Sequence, residues 1–312
     1  MNKNLAKLGL LGFVAALGSV SGAFFTDNFD VDSSANWDIN KGPNPANNYA
    51  NFAVDYSIYN IPSAPSSGGT TKGLLMEANV TGSIFSGLSV SPKNYGVSGD
   101  FEITADVWMN YVGPGPGGGS GSTQIGGLGW GTAGSTAQWA GGTQDSVYFV
   151  TTTDGNSASD YRAYSSAAPT SYPSGNAVYA APGGGINNSN AYYQAAFPSV
   201  ALPGTQNGFG TQTGTTLAGS TGFAWRKWQI KRVGNSITYK IDNLLIATVD
   251  ASTLTFGGNK PLITFFDSNT ASTTSTSRLN FMLVDNYQVV PEPASMVALG
   301  AGALALIRRR KA

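Results

Sequence analysis

The chain has 312 residues, 41 of them Gly, with no Cys, no His and only 11% charged side chains. Without Cys and His there are no disulfides, thiolate metal sites or imidazole- and thiol-based triads, and sparse charge with short apolar runs argues for strands and long loops over a helical bundle. The formal net charge is zero, but six cations (Lys3, Lys7, Arg308, Arg309, Arg310 and Lys311) lie in the terminal segments; residues 24–290 carry 11 basic and 16 acidic groups, a net of −5, which makes nucleic acid a poor partner.

Residues 1–23 read as a signal peptide. Lys3 and Lys7 precede an apolar stretch from Leu8 to Val20, and Ser21-Gly22-Ala23 supplies the small side chains that signal peptidase requires, with cleavage after Ala23. The alternative, a buried N-terminal helix, is opposed by the interior glycines Gly9, Gly12 and Gly18 and by the lack of an amphipathic face. The body, residues 24–290, is long enough for one large sandwich or two small domains; one domain is the preferred reading.

Within the body, strands are expected at Leu74 to Val80 and, most clearly, at Phe101 to Tyr111. There Phe101, Ile103, Ala105, Val107, Met109 and Tyr111 share one face and Glu102, Thr104, Asp106, Trp108 and Asn110 the other. Residues 113–142 hold 13 glycines in 30 positions and read as a long loop. A strand follows at Val147 to Thr152. The stretch from Ala163 to Trp225 has no charged residue and reads as a second loop or insertion at a sandwich edge, with Tyr164, Tyr172, Tyr179, Tyr192, Tyr193 and Phe197 interleaved among polar residues.

From Trp228 the pattern is a meander: Trp228 to Val233, a turn at Gly234-Asn235, Ser236 to Ile241, a turn at Asp242-Asn243, then Leu245 to Val249. Leu262 to Phe266 is a further strand. The last, Leu279 to Val289, alternates strictly, placing Leu279, Phe281, Leu283, Asp285, Tyr287 and Val289 on one face. Short strands with turn punctuation predict an all-β antiparallel sandwich.

Residues 291–312 join Pro291-Glu292-Pro293 to an apolar run from Met296 to Ile307 and a basic end, Arg308, Arg309, Arg310 and Lys311. Twelve apolar residues span about 18 Å as a helix against roughly 30 Å of hydrocarbon, which suits a transient membrane stop better than a stable span, and the cations hold that end in the cytoplasm. This tail resembles the PEP-CTERM sorting signal. The resemblance implies recognition by an exosortase-type membrane protease, processing near Pro291 to Pro293, a Gram-negative-type envelope, and delivery to the outer surface or extracellular matrix. The alternative is an uncleaved anchor.

Phe25-Thr26-Asp27-Asn28-Phe29-Asp30, Asn36-Trp37, the strand Trp228 to Arg232, the hairpin Tyr239-Lys240-Ile241-Asp242-Asn243 and Val284-Asp285-Asn286 together resemble a concanavalin A-like jelly roll, as in laminin-G-like, lectin and glucanase domains. The resemblance implies a jelly-roll sandwich and, in many such modules, a structural Ca²⁺. The oxygen-rich Asp27, Asp30, Asp32 and Ser34, completed by Asp285 and Asn286, are the candidate ligands.

Catalytic material is scarce. The Glu-x-Asp-x-x-Glu pattern of glucanases on that fold is missing, and Glu102 and Asp106, though on one strand face, lie about 13 Å apart along it. Gly113, Gly115 and Gly118 match a dinucleotide-loop spacing, but Pro114 and Pro116 break the turn and no amphipathic helix follows. No catalytic residue is therefore assigned. Uncharged aromatic loops can stack on sugar rings, which nominates Trp130, Trp139, Tyr192 and Tyr193 as ligand contacts, packing within the sandwich being the alternative role of each. The expected function is that of a non-catalytic exported protein, structural or glycan-associating in exopolysaccharide or biofilm; the alternatives are a glycoside hydrolase or lyase and a protein-adhesion module.

Overall fold

The computed structural model describes residues 24–80, 85–110, 124–153, 157–206, 213–267 and 279–292. The signal segment, Tyr111 and the Gly-rich residues up to 123, Pro293, the apolar tail and Arg308, Arg309 and Arg310 lie outside the described residues. Among the described residues no helix is long and apolar enough to cross a membrane.

The strands are β1 (Phe25–Asp27), β2 (Trp37–Lys41), β3 (Tyr49–Asp55), β4 (Lys72–Glu77), β5 (Ser86–Pro92), β6 (Phe101–Asn110), β7 (Gln124–Thr132), β8 (Val147–Thr152), β9 (Tyr161–Tyr164), β10 (Trp225–Val233), β11 (Ser236–Ile241), β12 (Leu244–Asp250), β13 (Lys260–Asp267) and β14 (Phe281–Pro291). One sheet runs β12-β11-β10-β6-β14-β4-β3, with β1 also on β14; the other runs β2-β5-β13-β7-β8-β9. Every named pairing is antiparallel. The expected two-sheet all-β sandwich is thus observed.

The alternation of β6 is realised as predicted. Phe101, Ile103, Ala105, Val107 and Met109 face the main core between the sheets, where Phe149, Phe265, Trp228 and Tyr239 meet them. The opposite face is not solvated along its whole length, however. Trp108 is buried in a second core with Leu75, Leu283 and Phe281, roofed by Tyr56, Tyr59 and Ile61 and flanked by Val200, Leu202 and Phe223. Both faces of the sheet therefore carry apolar side chains there, one against the other sheet and one against the protein's own loops.

The meander forms as read, and its second turn has φ 48° at Asp242 and 69° at Asn243. Positive φ at both positions is the twist-matched hairpin geometry that Asn and Asp tolerate.

One expectation is corrected. The middle of the Gly-rich stretch is no loop: Gln124–Thr132 forms β7, an interior strand between β13 and β8, and only residues 133–142 after it are turns and bends. A Cβ at Gly127 would collide with the Phe149 carbonyl and the Val150 side chain, one at Gly129 with Tyr148, and one at Gly126 with Met109 and Met282. These glycines make room for large neighbours, which period-two hydrophobicity does not register. The charge-free stretch lies, as expected, at a sandwich edge, and it is packed into the core there. Its Tyr179, Ile186, Tyr193 and Phe197 are core residues, and its backbone pairs along the edge strand β12 through Thr248 N–H to Val178 O (2.7 Å) and Ala180 N–H to Ile246 O (2.9 Å). It also meets the entry to β9 through Tyr161 N–H to Ile186 O (3.0 Å). An uncharged segment can lie over strand edges and core without burying unpaired charge. A short helix, α1 (Ala191–Ala196), starts in it, capped by the Asn190 side chain, which accepts from Tyr192 N–H.

Gly127→Ala is expected to lower unfolding stability by about 3 kcal/mol or more, because overpacking here meets backbone that cannot rotate away. A urea denaturation midpoint equal to that of the unsubstituted protein would refute the packing role assigned to β7.

Candidate functional site

The last strand organises the polar centre of the molecule. Its first half pairs with β4 through Met282, Leu283 and Val284, and its second half pairs with β1 through Tyr287, Gln288 and Val289. Between the two halves the register against β6 shifts, Asp285 opposing Asp106 and Gln288 opposing Thr104. The extra residue is a bulge, with Asn286 at φ 51°. Asn tolerates this left-handed conformation better than other non-Gly residues.

The bulge overturns the face assignment read from alternation. Leu279, Phe281 and Leu283 lie in the second core, whereas Tyr287 and Val289, expected beside them, lie in the main core with Met282 and Val284. One inserted residue flips every later side chain to the other face.

Around the bulge, acids and amides interlock. The Asn286 backbone N–H donates to Asp285 Oδ1 (2.7 Å) and its side-chain amide donates to Asp106 Oδ2 (3.0 Å). Asp106 Oδ2 also accepts from Ser66 N–H at 3.1 Å. The Tyr56 hydroxyl donates to Asp285 Oδ2 (3.1 Å), accepts from Ala64 N–H (3.1 Å) and lies 3.2 Å from the Thr70 carbonyl. Asp285 is fully buried, and burial, with Asp30 and Asp106 nearby adding negative charge, pushes its carboxyl up to about 7 against the opposing pull of the Asn286 N–H and the Tyr56 hydroxyl. A phenol has one proton for two acceptors; when Asp285 is neutral its own O–H can turn to Tyr56 and release that proton to Thr70.

At the surface, β1 and the bulge border an open groove of about 540 Å³ lined by Thr26, Asn28, Val31, Asn36, Asn286 and Gln288, with Asp27, Ser33 and Tyr287 completing its wall. Asp27 braces it. Its carboxylate accepts from Phe29 N–H (2.8 Å), Ser33 Oγ (2.6 Å) and Trp37 Nε1 (2.8 Å), holding Phe29 buried at φ 54°.

The proposed calcium ligands do not form one set. Three donors aim at Asp27, the opposite of what a cation site presents. Asp32 is a turn cap that accepts from Ser34 N–H (3.0 Å), and hydrogen bonding from Ser34 holds its carboxyl below the usual range. Asp30 accepts from the Asn28 amide, and Asp285 is engaged by Tyr56 and Asn286. Among the described residues no three acids are grouped to hold a metal ion.

The aromatic nominations are corrected in the same way. Trp130 is only 4% exposed: its Nε1 donates to Val97 O (2.9 Å), its ring packs on Phe101 and Phe256, and the Arg232 guanidinium caps it at 4.6 Å. Trp139 is buried in a separate cluster behind β7 and β13 and meets Phe85 edge-on. Tyr193 stacks on Tyr161 at 3.9 Å and donates to Gly185 O, while half-buried Tyr192 donates to Leu245 O (2.7 Å). Trp130 and Tyr193 thus belong to the main core, with Tyr192 packed against it, and Trp139 belongs to the separate cluster; all four side chains pack within the protein. Of the sorting residues, Pro291 ends β14 and Glu292 is held beside it, so the folded body reaches two residues beyond the expected boundary at 290. The groove amides Asn36 and Gln288 escaped sequence reasoning; the polar pair Asp285-Asn286, interrupting an otherwise apolar strand, was the available signal.

Residues 289–311 match the PEP-CTERM protein-sorting motif. Among solved structures, the chain is similar to a glycoside hydrolase family 16 endo-glucanase from Bacteroides ovatus, with 10% identity, 85% of this chain and 99% of that one covered, and a TM-score of 0.41. It is also similar to a protein of unknown function with a galectin-like fold from Bacillus subtilis (11% identity, 88% and 100% covered, TM-score 0.40). A third is the exoplasmic/lumenal domain of VIP36 in its Ca²⁺- and Man2-bound form (8% identity, 86% and 87% covered, TM-score 0.41). No curated protein matches the chain.

Two outcomes test this geometry. Asp27→Ala is expected to cost about 1–3 kcal/mol, since it strands three donors, and to shift Trp37 emission; unchanged stability and emission would contradict the bracing role. Asp285 sets a pH dependence. Asp285 titrates near 7 in the fold and about 4 in the unfolded chain, so its contribution is complete at low pH and is lost as pH rises towards 7, levelling off above. The melting temperature should fall across that window, and Asp285→Asn should flatten the fall. Parallel curves for the two proteins would sink the assignment.

Proposed function

We propose that the protein is exported, processed at its PEP-CTERM motif by an exosortase-type membrane protease, and retained at the cell surface or in the extracellular matrix, where it acts by contact with polysaccharide and not by catalysis. The sorting motif at residues 289–311 supports the destination. In this reading residues 1–23 are removed by signal peptidase, and the tail beyond the folded body is a transient membrane stop. Biofilm and exopolysaccharide are the setting such delivery would serve.

One observation carries the non-catalytic half. The carboxylates on adjacent strands, Asp106 and Asp285, are both buried, and the segment from Tyr56 to Thr70 closes over them with hydrogen bonds from Tyr56 and Ser66. A glycosidase needs its two carboxyl groups on either side of an accessible glycosidic bond, and here the protein's own chain fills that space. Contact is left to the groove beside β1, whose Asn36 and Gln288 amides present the paired donors and acceptors that sugar hydroxyls match.

The mature domain is expected to bind the producing organism's exopolysaccharide in calorimetry, and Asn36→Ala combined with Gln288→Ala to weaken binding about thirtyfold, at roughly 1 kcal/mol per hydrogen-bonding side chain. No binding by the unsubstituted domain would leave a purely structural role. Release of reducing ends from the same polymer, abolished by Asp106→Asn, would replace contact with hydrolysis.

A further inference from the structure

The sorting motif begins inside the fold. Val289 is buried in the main core and lies opposite both Phe25 of β1 and Ile103 of β6, Val290 lies opposite Glu102, and Pro291 opposite Phe101. Proline has no N–H to give and β14 ends there, yet the backbone stays tied one residue further: Glu292 N–H donates to the Asp100 carbonyl at 2.9 Å. The Glu292 side chain is held as well, its Oε1 lying 2.6 Å from Lys231 Nζ on β10. Lys231 stands opposite Glu102 in the sheet, and its ammonium is held charged first by the Glu292 carboxylate, with Glu102 and Asp100 adding to the effect. One cation thus serves three acids at the place where the folded body passes into the sorting tail, and Glu292 is the only one of the three that belongs to the motif.

We infer that Lys231 docks Glu292 of the sorting motif onto the folded sandwich, so that the processing protease gains the Pro291-Glu292 segment only when this strand end frays. The inference rests on the processing reading above. A protease that must take an extended segment into its own site competes with the sheet for the same backbone groups. Where opening and closing are fast compared with cleavage, the rate follows the population of the open end. Both partners of the ion pair are partly exposed, so the dock is weak. A weak dock slows processing without preventing it. It also leaves the cleaved body with its last strand still in register, because Val289 and the residues before it are anchored by the core.

The test uses the full-length chain in a bacterium that carries the exosortase-type protease, with processing followed by pulse-chase in the unsubstituted protein, Lys231→Ala, Lys231→Glu and Lys231→Arg. Removal of an exposed pair is expected to speed processing roughly two- to fivefold in Lys231→Ala. Lys231→Glu, which gathers four acids, should be at least as fast, and Lys231→Arg should keep the original rate. In the purified protein, hydrogen exchange at the Glu292 amide should accelerate in Lys231→Ala while the amide of Ile103 stays protected, which separates local fraying from global unfolding. Equal or slower processing in Lys231→Ala, or unchanged exchange at Glu292, overturns the dock and leaves the sorting reading intact. An unprocessed wild-type chain overturns both.

Discussion

Much of this molecule depends on a single extra residue in its last strand. β14 lies in the middle of the larger sheet, between β6 on one side and β4 and β1 on the other. A regular strand could not serve both halves, because the side chains that suit the second core before Asp285 would continue to point there after it. The bulge at Asp285-Asn286 rotates the later half, so that Tyr287 and Val289 enter the main core and the N-terminal β1 finds a partner. The left-handed Asn286 that makes this possible is also the residue whose two N–H groups satisfy Asp285 and Asp106. Backbone geometry and charge burial are thereby solved at one position.

The same feature explains why the acids are closed off. A buried carboxyl pair is tolerable only when each oxygen is hydrogen-bonded or one group is neutral. Tyr56, Ser66 and Asn286 supply the hydrogen bonds, and the raised titration of Asp285 supplies the neutrality. The segment that delivers Tyr56 also roofs the second core, so polar satisfaction and apolar burial come from one piece of chain. What remains open to solvent beside the bulge is a groove rich in amides, at the edge where the first strand joins the last.

The sorting motif and the folded sandwich meet at the end of β14. A strand that lies centrally in a sheet cannot be shortened without exposing core, and the sorting motif starts on that strand. Delivery and folding therefore share residues. The ion pair between Lys231 and Glu292 and the hydrogen bond to Asp100 lie on that shared boundary.

Strands with clean alternation, such as Phe101 to Asn110 and the meander from Trp225 to Asp250, were legible because each obeys one local rule: period-two burial, or a turn pair that tolerates positive φ. The terminal motif was legible because its proline, apolar run and cations act through composition and order alone. β7 was not, since Gly126, Gly127 and Gly129 are required by the bulk of neighbours far away in sequence. The roles of Trp130, Trp139 and Tyr193 were not either: an aromatic among small polar residues has the same local pattern whether it faces a sugar or a core. Sequence by itself determined the class of fold, the absence of thiol and imidazole chemistry and the sorting tail. Which face each residue of the last strand shows, which acids are buried together and where the surface stays open were decided only by tertiary contacts, because one bulge and one covering loop override the local periodicity from which they would have been read.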